Sequence, residues 1–156
     1  MYTTSTFYIK NQTPGISMAR LVQCYHDELE NQRIKNLTVD YDIIKFTNTS
    51  FPIAVNKSSY RFSNFSKGQI RIEETDLKFI VYLEAELGHL FTSAGIIGGG
   101  ITLLFGAISG FGIGSFFIGG LAFLLFLSFG YFSLRASFPV YFTSLRNQIE
   151  EFLRMN

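Results

Sequence analysis

Residues 95–120 read GIIGGGITLLFGAISGFGIGSFFIGG. Glycine at this density serves two unrelated ends. It can cradle a phosphate with backbone N–H groups, or let two helix backbones press together in lipid. A dinucleotide-binding turn needs G-x-G-x-x-G between a strand and a helix. Gly98–Leu103 (GGGITL) ends in leucine, and Gly110–Ser115 (GFGIGS) ends in serine where the last glycine belongs. A P-loop needs a lysine directly after its last glycine. No Lys, Arg, Asp or Glu occurs from Leu87 to Leu134. No acidic residue stands at the distance that would hold a ribose. Phosphate binding by this glycine-rich segment is rejected.

That charge-free segment is 48 residues long. One crossing of about 30 Å of hydrocarbon takes about 20 apolar residues at about 1.5 Å each. The segment therefore predicts a transmembrane helical hairpin over 87–134, with spans near 87–108 and 113–134 and a turn at Ser109–Gly112. The rest of the chain is too short to wrap such a segment as a soluble core. Composition agrees: mean hydropathy is +0.23 and charged residues make up 16%, against roughly 25% in an ordinary soluble chain. The first fifteen residues lack the basic start and apolar run of a signal peptide, so insertion is expected from within the chain. All 13 Lys and Arg lie outside the hairpin. The positive-inside rule then places both termini in the cytoplasm of an integral inner- or plasma-membrane protein. Tyr131 and Arg135 stand where an interfacial anchor belongs, and His89 sits just inside the first span, near the boundary. Five N-x-[ST] triplets, at Asn11, Asn36, Asn48, Asn56 and Asn64, argue for the opposite, lumenal placement.

Twelve of the 14 glycines fall in the hairpin. Gly95 and Gly99 form a small-xxx-small pair in the first span, and Gly106, Gly110 and Gly114 continue the spacing through the turn. These five are the candidate helix-packing residues, either within the hairpin or against another copy or another membrane protein.

The flanks predict a small α+β domain. Met18, Leu21, Val22, Tyr25 and Leu29 repeat at helical spacing, with Thr13 as cap and Pro14 as the first helical residue. Leu37–Thr47 alternates as a strand whose phase slips at Ile43–Ile44. Ser59–Phe65 and Gly68–Glu74 read as a hairpin about Ser66–Lys67, and Leu77–Glu84 as the next and most buried strand. The result is an antiparallel sheet of about four strands, with Thr6–Ile9 available as a further edge. Pro139 marks a break before an amphipathic helix, Val140–Met155, whose Phe142, Leu145, Ile149, Phe152 and Leu153 call for a sheet to cover them. The fold class is thus membrane α+β: a cytoplasmic region over 1–86, the hairpin over 87–134, and a C-terminal cytoplasmic helix over 135–156 packed on the first region.

Chemistry is sparse. Cys24 is the one cysteine, so neither an internal disulfide nor a cysteine zinc site can form. Cys24 and His26 point to nearly opposite helix faces. His26 and Glu30 make at most half a metal site. Asp40 and Asp42 share a strand face, which reads as the wet side of a sheet with Val39, Tyr41 and Ile43 behind it. No nucleophile motif is present, and a net charge of +1 offers nothing to nucleic acid. Neither catalysis, a metal nor a cofactor is expected. The expected role is a membrane-tethered interaction module: an accessory subunit, assembly factor or scaffold. The alternative is a membrane-perturbing effector whose hairpin oligomerises under a sensing domain.

Overall fold

Every second residue from Phe79 to Ala85 is apolar and buried, the mark of a strand with one covered face. In the computed structural model, which describes residues 1–13, 15–48 and 62–155, this strand belongs to a five-stranded antiparallel sheet. The strands are β1 (Tyr2–Ile9), β2 (Leu37–Asp40), β3 (Ile43–Thr47), β4 (Lys67–Glu74) and β5 (Lys78–Glu86), in the spatial order β1-β5-β4-β3-β2. The helices are α1 (Met18–Asn31), α2 (Gly88–Ser109) and α3 (Ile113–Met155). Two compact units result. Met1–Leu87 and Phe138–Asn156 make one, Gly88–Ser137 the other, and α3 contributes to both.

Sequence expectations are revised at four points. The sheet has five strands: the edge available at Thr6–Ile9 is a full strand from Tyr2, Leu37–Thr47 is two strands rather than one, and the described part of 59–65 adds none. The phase slip is a reversal, with Asp40 paired to Ile43 across a two-residue turn whose Tyr41 takes φ +47°. Asp40 ends β2 and Asp42 lies in that turn, so the two carboxylates share no strand face, and Val39 is exposed. The expected hairpin arm before Ser66 is instead a 3-10 turn, Phe62–Asn64, with 59–61 outside the described residues. It presses Phe62 and Phe65 into the core, and β4 pairs with β3 and β5. Helix α1 starts five residues after Thr13. Gly15 at φ +71° turns the chain, and Ser17 is the cap, its Oγ accepting from the Arg20 N–H at 3.3 Å; Pro14 lies outside the described residues. Finally, Pro139 does not break α3. A proline inside a helix costs about 3 kcal/mol. Burying Phe138 and Phe142 beside it returns roughly 1.5–3 kcal/mol each.

One face of the sheet (Tyr2, Tyr8, Ile44, Phe46, Ile70, Ile72, Phe79, Val81, Leu83) is fully covered. Its cover is Leu21, Val22, Tyr25 and Leu29 of α1 and Phe138, Phe142, Leu145, Ile149 and Leu153 of α3. The ring of Phe138 lies 5.0–6.0 Å from those of Tyr2, Phe62, Phe65, Tyr141 and Phe142. This makes β1, the 62–65 turn and α3 one aromatic cluster. Replacing Phe138 by alanine should destabilise this unit by about 3–5 kcal/mol, the range for a buried Phe→Ala change. Denaturation of the detergent-solubilised protein followed by circular dichroism measures it, and a loss below about 1 kcal/mol would show that the cluster does not hold the unit together.

Candidate functional site

Within the second unit, α2 and α3 are joined by a turn in which Gly110 takes φ +86° and Ser115 Oγ donates to the Gly110 carbonyl at 3.0 Å. The seam between the helices follows a four-residue row on α2: Ala94, Gly98, Thr102 and Gly106, of which Ala94, Gly98 and Gly106 are buried. Opposite them stand Ser115, Gly119 and Phe123 of α3. A β-carbon at Gly98 would lie 2.9 Å from the Gly119 carbonyl oxygen and 2.8 Å from Phe123 Cβ. One at Gly119 would lie 2.7 Å from the Gly98 carbonyl oxygen and collide with the Thr102 hydroxyl. The backbones meet here, where any larger side chain would hold them apart. Further along, Gly130 admits the side chain of Leu90.

Of the five glycines singled out in the sequence, Gly106 lies in the α2 row of this seam and the other four do not. Gly95, Gly99 and Gly114 face open space, where a β-carbon would meet nothing within 4 Å. Gly110 makes the turn, and Gly106 sits under the Phe111 ring. The signal for the seam was the row of small residues at 94, 98, 102 and 106, which a count of glycines alone passes over. The outward surface of both helices is apolar: Ile96, Leu103, Leu104, Phe116, Phe117, Leu124, Leu125, Phe129 and Phe132 are all exposed. Only 17% and 11% of the most apolar stretches of α2 and α3 are buried.

In the sheet unit, the face opposite the helices carries mixed chemistry. Arg71 lies 5.3 Å over the ring of Tyr82 and 3.2 Å from Glu73, and Lys78 lies 5.5 Å over the exposed ring of Phe7. Inside, the hydroxyls of Tyr8 and Tyr25 hydrogen-bond at 2.9 Å with both residues buried. Burial raises both phenol pKa values well above the ordinary value. Tyr141 Oη donates to Glu28 at 3.0 Å, Gln32 Nε2 donates to Glu28 at 2.6 Å and also to Tyr141, and Gln32 Oε1 accepts from the Phe62 N–H at 2.9 Å. These bonds join α1, α3 and the 62–64 turn; they are scaffold.

The remaining sequence candidates are Cys24 and His26 with its acidic neighbours. Cys24 is half-buried, and desolvation, with Asp27 nearby, raises its thiol pKa, so it stays protonated at neutral pH. Asp27 and Glu30 flank His26, 3.7 Å from Nδ1 and 4.0 Å from Nε2, and one ligand atom from each of the three lies within 4.8 Å of the others; both carboxylates are exposed, as acidic groups that hold no ion commonly are. No protein-family model, curated protein or solved structure matches this chain.

Two outcomes follow from this geometry. Gly119→Val should lower the thermal midpoint of the detergent-solubilised hairpin, while Gly95→Val, which meets open space, should leave it within error; equal effects would refute the seam. Separately, Tyr8 and Tyr25 stay neutral in the folded chain while unfolded tyrosines ionise near pH 10. Their raised folded values add stability that is complete below about pH 10 and is lost as pH rises beyond it. Stability should therefore fall above that pH, and less steeply in the Tyr8→Phe/Tyr25→Phe double variant, as read by alkaline unfolding at the tyrosinate absorbance.

Proposed function

We propose that this chain is an integral membrane protein whose hairpin crosses the bilayer twice and holds the sheet unit at the membrane as a non-enzymatic interaction module. The observation that carries this reading is the uncovered apolar surface of α2 and α3, two helices long and apolar enough to cross a membrane. Core helices of soluble proteins bury their apolar stretches, and these do not. At about 25 cal/mol per Å² of apolar surface, such a hairpin requires lipid or protein around it.

Topology follows from connectivity. The residues before the hairpin and those after it fold into a single unit. A unit built from both flanks sits on one side of the bilayer, so the hairpin enters and leaves on that side, as two crossings require. The absence of basic residues from the turn at 110–112 supports a cytoplasmic side for that unit. Of the triplet asparagines, Asn48 is buried and so closed to glycosylation in the folded unit, Asn11, Asn36 and Asn64 are exposed, and Asn56 lies outside the described residues.

The interaction role rests on what the unit leaves open. The helix-free sheet face and the outward glycines Gly95 and Gly99 are open to contact, whereas Tyr8, Tyr25, Glu28, Gln32 and Tyr141 are engaged in hydrogen bonds within the unit. Outward glycines in lipid favour a partner helix: an accessory subunit or assembly factor docks another membrane protein there, and self-association is the other use of the same face.

Three measurements test the proposal. The protein should resist alkaline carbonate extraction and remain with the membrane pellet. Cys24 should react with an impermeant maleimide only after lysis and denaturation; labelling in intact cells would reverse the topology. Solubilised gently from its native membrane, the chain should run as a complex larger than one copy, and a solitary chain would overturn the interaction role.

A further inference from the structure

The end of the sheet where β3 and β5 finish and β4 begins carries a cavity of about 330 Å³. The strand register lays its charged lining out in two rows on the helix-free face: Lys45 beside Gln69 beside Glu84, then Thr47 beside Lys67 beside Glu86. Their neighbours Phe46 and Ala85 point into the core, so the alternation places these six residues together on the open side. The result is a polarised pocket. Both ammonium groups come from β3 and β4, both carboxylates come from β5, and the Gln69 amide lies between them, its Nε2 donating to Glu84 at 2.9 Å. Lys67 and Glu86 lie 3.1 Å apart, each more than half exposed. A pair this open is worth at most about 1 kcal/mol and separates readily for a ligand.

Position supplies the second constraint. Glu86 is two residues from Gly88, where α2 begins. An extended chain spans at most about 3.6 Å per residue, so the cavity's rim is tethered within about 7 Å of the start of that helix. The headgroup layer on each side of a bilayer is about 5–8 Å deep. With α2 in the membrane, covalent geometry alone keeps Glu86 within reach of the headgroup layer.

We propose that this cavity binds the headgroup of a zwitterionic phospholipid whose cation is a primary ammonium. The phosphodiester takes Lys45 and Lys67, and the ammonium donates to Glu84 and Glu86. This assignment rests on the membrane reading above. A choline headgroup carries no N–H to give the carboxylates and is held by aromatic cages; among the described residues the one aromatic ring at this cavity, Phe46, is buried on the other face. An anionic headgroup leaves Glu84 and Glu86 facing like charge. A phosphoethanolamine headgroup satisfies both flanks at once.

The test uses the full chain in nanodiscs of phosphatidylcholine mixed with either phosphatidylethanolamine or phosphatidylglycerol, with native mass spectrometry counting lipids retained through stepwise delipidation. One phosphatidylethanolamine should be retained at least tenfold over either other lipid. Lys45→Glu/Lys67→Glu should abolish that retention. Glu84→Gln/Glu86→Gln should erase the preference over phosphatidylcholine while keeping a bound phospholipid, and it decides the matter should the lysine variant misfold. Equal retention of all three lipids, a preference for phosphatidylglycerol, or an unchanged preference in the glutamine variant overturns the proposal. Carbonate extraction of the same preparation separates the two failures. A chain released to the supernatant sinks the membrane reading; a chain in the pellet without the lipid preference sinks this site alone.

Discussion

The ring of Phe138 holds the sheet unit closed. It touches a residue from the start of β1, two from the 62–65 turn and two from its own helix, so it joins segments separated by more than a hundred residues of chain. Edge-to-face packing dominates these contacts, which suits five rings around one centre better than stacking would. Because the cluster needs residues from both flanks of the hairpin, it makes the hairpin an insertion rather than an appendage. In the proposed membrane arrangement, this cluster ties both flanks of the hairpin to one side of the bilayer.

Pro139 sits next to that ring and shows how tertiary burial overrides a local rule. Its missing N–H leaves the Arg135 carbonyl without its usual partner four residues on. In isolation the helix would end there. Phe138 and Phe142 must share one face to reach the core, and only a helix that runs through the proline keeps them four residues apart on that face. Thr143 back-bonds within the next turn, its hydroxyl donating to the Pro139 carbonyl at 2.9 Å, and leaves the Arg135 carbonyl as it was.

What could be read from the sequence was what depends on periodicity and on long absences. The charge gap located two long apolar helices, the 3.6-residue repeat located α1, and the alternation in Lys78–Glu86 located β5. What could not be read depends on partners distant in sequence. The reversal at Tyr41 needs a side chain at positive φ, which no turn motif signals, and Thr13 lost the cap to Ser17 because Gly15 turns the chain between them. The hairpin seam shows the same limit. Two adjacent small-residue rows, one from Ala94 and one from Gly95, differ by a rotation of about 100° about the helix axis. Only the placement of Gly119 and Phe123 on α3 chooses between them. The lysines and glutamates of the sheet rim read singly as ordinary solvated charges; strand register brings them to one cavity.

The discontinuity of the sheet unit also sets an order of events at the ribosome. Residues 1–87 emerge first with all five strands but without Phe138, Phe142 and the helix that seals the covered face. Chains fold from the N-terminus as they are made, and exposed apolar surface invites aggregation in the interval. The sealing helix can arrive only after the whole hairpin has been synthesised. Completion of the sheet unit therefore waits on the helical hairpin, and a chain arrested before Phe138 is left with an open core and exposed apolar surface.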